Sequence, residues 1–380
     1  MSATGVASTP RSIVSADTAT RMSLPDALSL GSEVWDAVQA RAASPSPFMS
    51  WAWHRAWADS AEDASSSEVL VLRDVEGEVQ VILPLLLRRA PFHRVPVKAL
   101  AWAIGERGYP DHLDVLATPE ADLSALVPLL EELDWQVMVL SNLAPHARSA
   151  RWLCAALADR GHTIHRQSVW PCPYLELSGD WEQYLASLTS SRRQAVRYME
   201  RSLRRRHAVA ITDYDGDRFE EGWRHLITLH EARWQEAGGP GAFRDPRVAR
   251  LHRRFAEEMA RRGQLWLTTL DLDGAPAAAW YGFTCRDTVY FYQSGRDPRW
   301  ERESVGQILI AAMIRRAMER GFRRFDFLRG DDPYKRQWTA TRRITEEITI
   351  FRRGWRRNLL RGLDAVADLR TRLRQENRDG

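Results

Sequence analysis

Two short stretches carry residues whose types and spacing suit chemistry on a charged substrate. In the first, Ser304 and Gln307 stand three apart at the start of an apolar-periodic segment, which predicts a capping box, and Gly306 keeps the first helical turn uncrowded. Backbone N–H groups at such a helix start suit a phosphate. In the second, Asp331 and Asp332 follow a short apolar strand, at the end where open α/β sheets bind ligands. These aspartates are therefore candidate bases, although capping the next helix is their commoner role.

A strand, a helix and a second strand would position both stretches. Residues 288–294 alternate with the period of two that places successive side chains on opposite faces of a strand. Residues 304–320 repeat apolar side chains at helical spacing, and Gly321 ends the helix. Residues 325–328 form the second strand. A crossover of this length predicts two parallel neighbours joined in the right-handed sense.

The net charge of +4 conceals an asymmetry along the chain. Residues 1–180 hold 14 Lys and Arg against 22 Asp and Glu, net −8, whereas residues 181–380 hold 40 against 28, net +12. The segment 190–206 alone carries seven arginines, with Glu200 as its only acid. Such a helix is either a solvated face or a landing surface for an anionic cofactor or substrate.

Length and composition favour a globular protein with room for two domains, since 380 residues that are 44% hydrophobic can bury sizeable cores. No stretch approaches the roughly 18 consecutive apolar residues of a membrane span, and residues 1–27 lack a signal-peptide apolar core. We therefore expect a cytoplasmic protein without an integral membrane segment. The three cysteines are odd in number and widely spaced, which excludes a paired disulfide framework and a CxxC motif. We expect buried free thiols and no metal.

Several common catalytic motifs are absent from the sequence. There is no GxSxG, no HExxH, no P-loop and no GxGxxG. What remains is a site of the acyl-transfer type. That chemistry needs an amine deprotonated for attack, hydrogen-bond donors for the oxyanion and a proton for the leaving thiolate.

The sequence predicts α/β elements throughout, in two halves that share a coarse order of helices and strands. We expect a disordered arm at residues 1–27, a first half at 28–178, a second half at 179–351 and a basic amphipathic tail at 352–380. The tail either packs on its own domain or contacts a membrane surface. The polar segment 105–112 is either a plain loop or part of a cleft.

Several stretches within residues 180–340 resemble a known family. They are LHEARW at 229–234, GAF at 241–243, YFYQSG at 290–295 and FDFLRGD at 325–331, followed by Tyr334, Lys335 and Trp338. Together they resemble the GNAT-type acetyltransferases associated with cellulose and exopolysaccharide biosynthesis (CelD-like), which are related to the FemAB aminoacyltransferases. PFMS at 47–50 and PYL at 173–175 extend the likeness to the first half. The resemblance implies two GNAT-like halves in tandem, with mixed central sheets flanked by helices.

The resemblance also implies a donor and its site. Acetyl-CoA or another acyl-CoA would lie between the strands at 288–294 and 324–328, with its pyrophosphate at the start of the intervening helix. The residues expected to bind it are Tyr292, Gln293, Ser294, Ser304, Val305, Gly306 and Gln307. The chain departs from the family pattern at Glu303, where a carboxylate replaces the usual Gln or Arg.

The candidate catalytic residues follow the second strand or lie on an earlier helix. By resemblance, Tyr334 has the position of the general acid, and a lysine beyond this strand, here Lys335, aids the reacting carbonyl in FemAB-like relatives. Asp331 and His230 complete the set. Tyr334 is alternatively a buried structural side chain, Lys335 a solvated charge and His230 a hydrogen-bonded structural residue.

We therefore expect an N-acyltransferase that moves an acetyl or acyl group from coenzyme A to a small-molecule amine, such as an amino sugar, an amino acid or a polyamine. One alternative is a FemAB-like transferase that uses aminoacyl-tRNA, with tRNA as its partner. The other is a non-enzymatic exopolysaccharide assembly factor whose basic tail makes peripheral contact with a membrane or a partner.

Overall fold

The computed structural model describes residues 18–61, 66–105, 108–354 and 356–364. Thirteen strands in this part of the chain form one mixed sheet. They are β1 (Thr18–Ser23), β2 (Ser67–Arg73), β3 (Val79–Phe92), β4 (Val95–Trp102), β5 (Leu116–Ala117), β6 (Val137–Leu143), β7 (Thr163–Glu176), β8 (Val209–Asp213), β9 (Leu265–Leu272), β10 (Ala275–Cys285), β11 (Thr288–Arg296), β12 (Arg324–Asp326) and β13 (Arg342–Phe351). Their spatial order is β1-β2-β3-β4-β6-β13-β7-β12-β11-β10-β9-β8, and β5 pairs with β3.

Helices flank this sheet. They are α1 (Leu24–Ser29), α2 (Ser32–Arg41), α3 (Trp51–Ser60), α4 (Val127–Glu132), α5 (Arg148–Asp159), α6 (Trp181–Ser187), α7 (Ser190–Arg206), α8 (Phe219–Glu236), α9 (Pro246–Arg261), α10 (Val305–Glu319) and α11 (Pro333–Arg336). The predicted fold class, a mixed α/β protein with central sheets between helices, is confirmed.

The same parallel unit occurs once in each half of the chain. In the first half β4 pairs in parallel with β6, and in the second half β11 pairs in parallel with β12. Each pair is joined by a crossover that contains a helix, α4 in the first half and α10 in the second. The predicted strand–helix–strand unit is therefore present, and β4, α4 and β6 form its counterpart in the first half of the chain.

The two halves exchange their last strands. β13, from the second half, lies between β6 and β7 of the first half, and β7 lies between β13 and β12. β7 pairs antiparallel with β12 from Arg324 opposite Glu176 to Asp326 opposite Tyr174. Since an unpaired central strand would leave its backbone groups without partners, each half needs the other to complete its sheet.

Aromatic side chains build the core on both sides of the sheet. Trp53 of α3 meets Phe255 of α9 edge to face at 4.9 Å, which packs the first half against the second. On the other side Trp280 and Phe291 stack at 4.1 Å beneath α10. Such pairs add to the stability that comes from buried area alone.

The expectation of a disordered arm is wrong for residues 18–27. Thr18–Ser23 form β1, which pairs antiparallel with β2, and Ser23 caps α1 by accepting a hydrogen bond from the Asp26 N–H at 3.2 Å. Leu24 and Leu28 are buried against the core. Their burial supplies the free energy that a Ser- and Thr-rich composition does not suggest. The rest of the predicted arm, residues 1–17, lies outside the described residues.

The described part of the basic tail packs on the protein itself. Residues 357–364 are helical, and Leu360 is buried with Val97 and Phe351. Asp364 accepts hydrogen bonds from His93 at 3.0 Å and from His165 at 2.5 Å. Of the two predicted alternatives, these contacts support packing for residues 357–364. Trp355 and residues 365–380 lie outside the described part of the chain.

Candidate active site

The parallel strands β11 and β12 separate after three residue pairs. They pair only from Thr288 opposite Arg324 to Tyr290 opposite Asp326. β11 then continues along β10 as far as Arg296, whereas the chain after β12 stays with β7, since the N–H of Phe327 donates to the carbonyl of Pro173. The two strands follow different neighbours, so a cleft opens between them.

Two cavities occupy this cleft. One, of about 410 Å³, is lined by residues of β11, by the segment after β12 and by a loop of the first half. The other, of about 320 Å³, is lined by the end of β11 and the start of α10. Arg233, Ser294 and Tyr334 line both cavities, so they mark the junction between them. We call the larger the inner cavity and the smaller the helix cavity.

The start of α10 lines the helix cavity, but its predicted capping box is wrong. Ser304 has a left-handed backbone conformation, with φ of 53°, and its side chain makes no capping hydrogen bond. The Gln307 side chain instead accepts a hydrogen bond from Nη2 of Arg192 at 2.6 Å. Arg192 lies 115 positions earlier in the chain, so this competing contact depends on tertiary structure.

The first N–H groups of α10 nevertheless face an open space. The N–H groups of Gln307 and Ile308 both donate to the Ser304 carbonyl, which leaves those of Val305 and Gly306 without a partner inside the helix. A Cβ built on Gly306 would meet no atom within 4 Å. Ser304, Val305, Gly306 and Gln307 all line the helix cavity, so this end of the helix can receive an anion.

The unexpected carboxylate of Glu303 does not line either cavity. It forms an ion pair with Arg206 of α7 at 3.0 Å, and its side chain is only 13% exposed. The negative charge of Glu303 is therefore compensated by Arg206 of α7.

Tyr334 lies at the junction of the two cavities. Its ring contacts Phe291, and its hydroxyl makes no hydrogen bond with the residues that the structure describes. Burial, with a further contribution from the nearby Asp332 carboxylate, raises the pKa of Tyr334 well above its usual value. The phenol therefore stays protonated at neutral pH.

Lys335 is buried, which contradicts the alternative of a solvated charge. It is 5% exposed, and its Nζ donates to the carbonyl of Arg329 at 2.6 Å and lies 3.3 Å from an Asp332 carboxylate oxygen. Lys335 and Tyr334 are adjacent, yet both line the inner cavity. Lys335 lies away from the helix cavity, whereas Tyr334 contributes to both.

The two aspartates after β12 differ in their surroundings. Asp331 lies away from both cavities and pairs with Arg336 at 3.5 Å and Arg342 at 3.4 Å. Asp332 lines the inner cavity, and its side chain is about half exposed. Of the two, Asp332 is therefore the carboxylate that could take a proton from a ligand in this cleft.

His230 is an interior residue away from both cavities. It is fully buried, its Nε2 accepts a hydrogen bond from Nε1 of Trp234 at 3.0 Å, and its ring lies 4.6 Å from that of Phe243. Burial, with a smaller effect of the Arg233 charge, lowers the pKa of His230 to about 4. These contacts match the structural alternative.

Three of the residues predicted to bind the acyl donor lie on β11, and they do not all line the same cavities. Ser294 lines both, whereas Tyr292 and Gln293 line the inner cavity alone. The Tyr292 hydroxyl donates to the carbonyl of Gly108 at 2.5 Å and contacts Nε2 of His252 at 2.9 Å. Tyr292 therefore ties the second half of the chain to a loop of the first half.

That loop was predicted to be either plain or part of a cleft, and the structure places it in the wall of the inner cavity. Tyr109 and Asp111 both line the cavity. Asp111 is buried and pairs with Arg329, with 2.7 Å between its Oδ1 and the arginine Nε.

Arg233 lines both cavities but was not among the candidate site residues predicted from the sequence. It belongs to the LHEARW stretch that carries the family resemblance. Its position at the junction of the cavities depends on how α8 packs against β11, which the sequence alone does not show.

Arg193 of α7 donates to the carbonyl of Ala186 at 3.0 Å, and the other six arginines of this helix divide into two groups. Arg192, Arg197 and Arg206 contact the Gln307 side chain, Glu182 and Glu303 respectively. A second set is exposed and forms no ion pair within the described residues: Arg201, Arg204 and Arg205. The helix is thus neither wholly solvated nor wholly a ligand surface.

The remaining chemical expectations concern metals, thiols and membranes. Cys154, Cys172 and Cys285 are free, and burial raises the pKa of the Cys285 thiol to about 11. Among the described residues no cluster of three or more His, Cys, Asp or Glu side chains is arranged to hold a metal ion. In that same part of the chain no helix combines the length and the apolar character needed to cross a membrane.

Comparison with protein families found a match for the segment that contains β11, α10 and β12. Residues 190–336 match the family model of an acetyltransferase (GNAT) domain. This match extends from α7 to α11 and so includes β11, α10, β12 and the three residues that line both cavities. The segment is therefore similar to acetyltransferase (GNAT) domains. No curated protein sequence matched the chain significantly.

Solved structures share the fold over most of the chain. The crystal structure of FemX matches with a TM-score of 0.59 at 11% identity, covering 87% of this chain and 96% of that one. L-PGS from Bacillus licheniformis matches with a TM-score of 0.53 at 9% identity, covering 88% and 95%. The C-terminal domain (DUF2156) of a putative lysylphosphatidylglycerol synthetase from Agrobacterium fabrum matches with a TM-score of 0.52 at 10% identity, covering 86% and 92%. At these identities the likeness concerns the fold alone.

The family expectation is thus supported at the level of the GNAT domain and the FemX-like fold. The assignment to the CelD-like, exopolysaccharide-associated group stays a prediction, as does the use of acetyl-CoA.

Proposed function

We propose that the protein is an N-acyltransferase that moves an acetyl or acyl group from coenzyme A to a small-molecule amine. The observation that carries this proposal is the cleft between β11 and β12, whose two cavities meet at Tyr334 inside the segment that matches the GNAT domain. A bisubstrate reaction needs two adjoining spaces with the reacting atoms at their junction.

In this proposal the donor occupies the helix cavity. Its pyrophosphate accepts hydrogen bonds from the N–H groups of Val305 and Gly306, where the dipole of α10 favours negative charge. Its pantetheine arm passes Ser294, which brings the thioester to the junction. Acyl-CoA, when bound, would supply a thioester whose carbonyl carbon is open to attack by an amine.

The acceptor occupies the inner cavity, where Tyr292 and Gln293 form part of the wall. Asp332 takes the proton of the acceptor nitrogen, and Tyr334 gives its proton to the departing thiolate. Lys335 lies in the same cavity and adds positive charge. Asp331 and His230, which the cleft does not include, have no part in this scheme.

A second candidate is a transferase that uses aminoacyl-tRNA as donor. The observation that favours it is the exposed set Arg201, Arg204 and Arg205 on α7, the helix that also contacts α10 through Arg192. Such a surface would bind phosphates with a strong dependence on salt.

Isothermal titration and thermal melting of the purified protein with acetyl-CoA, with longer acyl-CoA species and with charged tRNA separate the two candidates. We expect titration to show saturable binding of an acyl-CoA. We expect the same ligand to raise Tm, because it binds the folded state. Binding of charged tRNA without any acyl-CoA binding would favour the second candidate. Binding of neither would leave the non-enzymatic alternative.

A further inference from the structure

Arg233 is the one cation among the three residues at the junction of the two cavities. Its Nη1 donates to Ser294, at 3.0 Å from the hydroxyl oxygen and 3.4 Å from the carbonyl oxygen. Both acceptors are uncharged. Within the described residues Arg233 forms no ion pair, so its positive charge is not compensated by a carboxylate.

Neighbouring cations in the cleft are already paired. Arg296 pairs with Glu236 at 2.7 Å, and Arg329 pairs with Asp111 at 2.7 Å. Lys335 donates to a backbone carbonyl and faces Asp332. A cation that is paired with a carboxylate stabilises a developing anion less than an unpaired cation does.

The packing of α8 fixes where Arg233 lies. Gly295 of β11 fits against the backbone of α8 so closely that a Cβ there would lie 2.3 Å from the His230 nitrogen and 2.4 Å from the Leu229 carbonyl carbon. Arg233 follows His230 by about one helical turn on the same helix. The guanidinium is therefore held beside Ser294, the residue that precedes Gly295 on the strand.

Resting on the proposed function, we infer that Arg233 is a catalytic residue that donates a hydrogen bond to the carbonyl oxygen of the bound thioester. Attack forms a bond between the acceptor nitrogen and the carbonyl carbon and moves an electron pair to that oxygen, beside the guanidinium. When the intermediate collapses, the bond to sulfur breaks and the thiolate takes the proton of Tyr334. The proton of the nitrogen goes to Asp332 and returns to Tyr334 through solvent.

This inference assigns oxyanion stabilisation to Arg233 and a positioning role to Lys335. Lys335 lines the inner cavity alone, whereas the thioester must reach the junction from the helix cavity. Nζ of Lys335 instead contacts the carboxylate that serves as base, so this lysine positions Asp332.

Variants at Arg233 test the inference in the whole 380-residue chain. We expect Arg233→Gln to lower kcat by about 10²- to 10³-fold, the usual loss when one oxyanion donor is removed, with Kd for coenzyme A unchanged. Arg233→Lys should recover part of the loss, because it keeps the charge without the fork of donors. Arg224→Gln is the matched control, since Arg224 lies on the same helix, is exposed and, among the described residues, donates only to the Glu220 carbonyl.

A spectroscopic measurement makes the test independent of the acceptor. In the infrared spectrum of bound acetyl-CoA with an isotopically labelled thioester carbonyl, hydrogen bonding from Arg233 should lower the carbonyl stretching frequency. We expect this shift in the wild type and in Arg224→Gln, and its loss in Arg233→Gln. An identical shift in all three proteins overturns the role of Arg233 while leaving the proposed function intact. A wild-type protein that binds no acyl-CoA overturns the proposed function and, with it, this inference.

A higher KM for the acceptor at an unchanged kcat in Arg233→Gln would also overturn the inference. That result would show that Arg233 binds the acceptor rather than the reacting carbonyl.

Discussion

Nε1 of Trp102 donates a hydrogen bond to the carbonyl oxygen of Ser141 at 2.9 Å, across the point where β4 and β6 separate. Beyond it Leu113 bonds to the same edge, since its N–H donates to the carbonyl of Asn142 and its carbonyl accepts from the N–H of Ala144. The gap that stays open between β11 and β12 is therefore filled in the first half by its own chain.

We expect one acyl-CoA to bind per chain, because among the described residues of the first half the gap between β4 and β6 is filled. The stoichiometry from isothermal titration should be one. Trp102→Ala should change stability without changing that number, since it removes a buried indole and a hydrogen bond but no donor contact. A stoichiometry of two in the wild type would show that the first half binds a donor elsewhere.

Gly306→Glu should abolish donor binding. A side chain at this position enters open space, so the protein should fold, and a negative charge in the first turn suits the helix itself. The same charge and bulk oppose a pyrophosphate. Gly306→Ala adds a methyl group without charge and separates the two effects. Normal acetyl-CoA affinity in a folded Gly306→Glu protein would move the donor site away from α10.

Tyr334→Phe should lower kcat by about 10²-fold while Tm and the Kd for the donor stay close to the wild-type values, because only a hydroxyl is removed. The raised pKa of Tyr334 also predicts a pH effect. A group whose pKa lies above its usual value keeps its proton as the pH rises, so turnover should show no decline near pH 10 from an ordinary tyrosine. Measuring kcat as a function of pH up to that value checks whether the decline is absent. An alkaline decline that disappears in Tyr334→Phe would contradict it.

Replacing Arg201, Arg204 and Arg205 together by Gln should weaken any binding of tRNA and reduce its salt dependence. Each lost phosphate contact lowers the slope of log K against log salt by roughly 0.7 to 0.9. The control replaces a second exposed set in the first half: Arg88, Arg89 and Arg94. Equal salt slopes in both triple variants would return the α7 arginines to an ordinary solvated surface.

Residues 179–380 alone should not fold into a stable domain, because β12 and β13 would both lose β7 as their neighbour. Circular dichroism and thermal melting of the fragment check this expectation. Adding residues 1–178 as a separate chain should restore a cooperative transition, since that fragment supplies β7. A cooperative melt of the isolated fragment would show that the strand exchange is dispensable for stability.

Elements that depend on local interactions could be predicted from the amino-acid sequence. Period-two alternation located β11, helical spacing of apolar residues located α10, and the length of the crossover predicted the parallel pairing of β11 with β12. The capping box failed because Ser304 takes a left-handed conformation and a distant arginine binds Gln307. A local sequence pattern predicts the conformation that a segment favours by itself. It does not predict a competing contact with a residue far away in the sequence.

Which polar residues contact one another depends on the packing of the whole chain. Asp331 and Asp332 are neighbours in the sequence, yet one pairs with two arginines and the other faces the inner cavity. Arg233 reaches the junction because Gly295 lets α8 approach β11 at backbone contact. Likewise the exchange of β7 and β13 joins segments more than 160 positions apart. These placements follow from packing over the whole chain, which residue types and their local spacing do not encode.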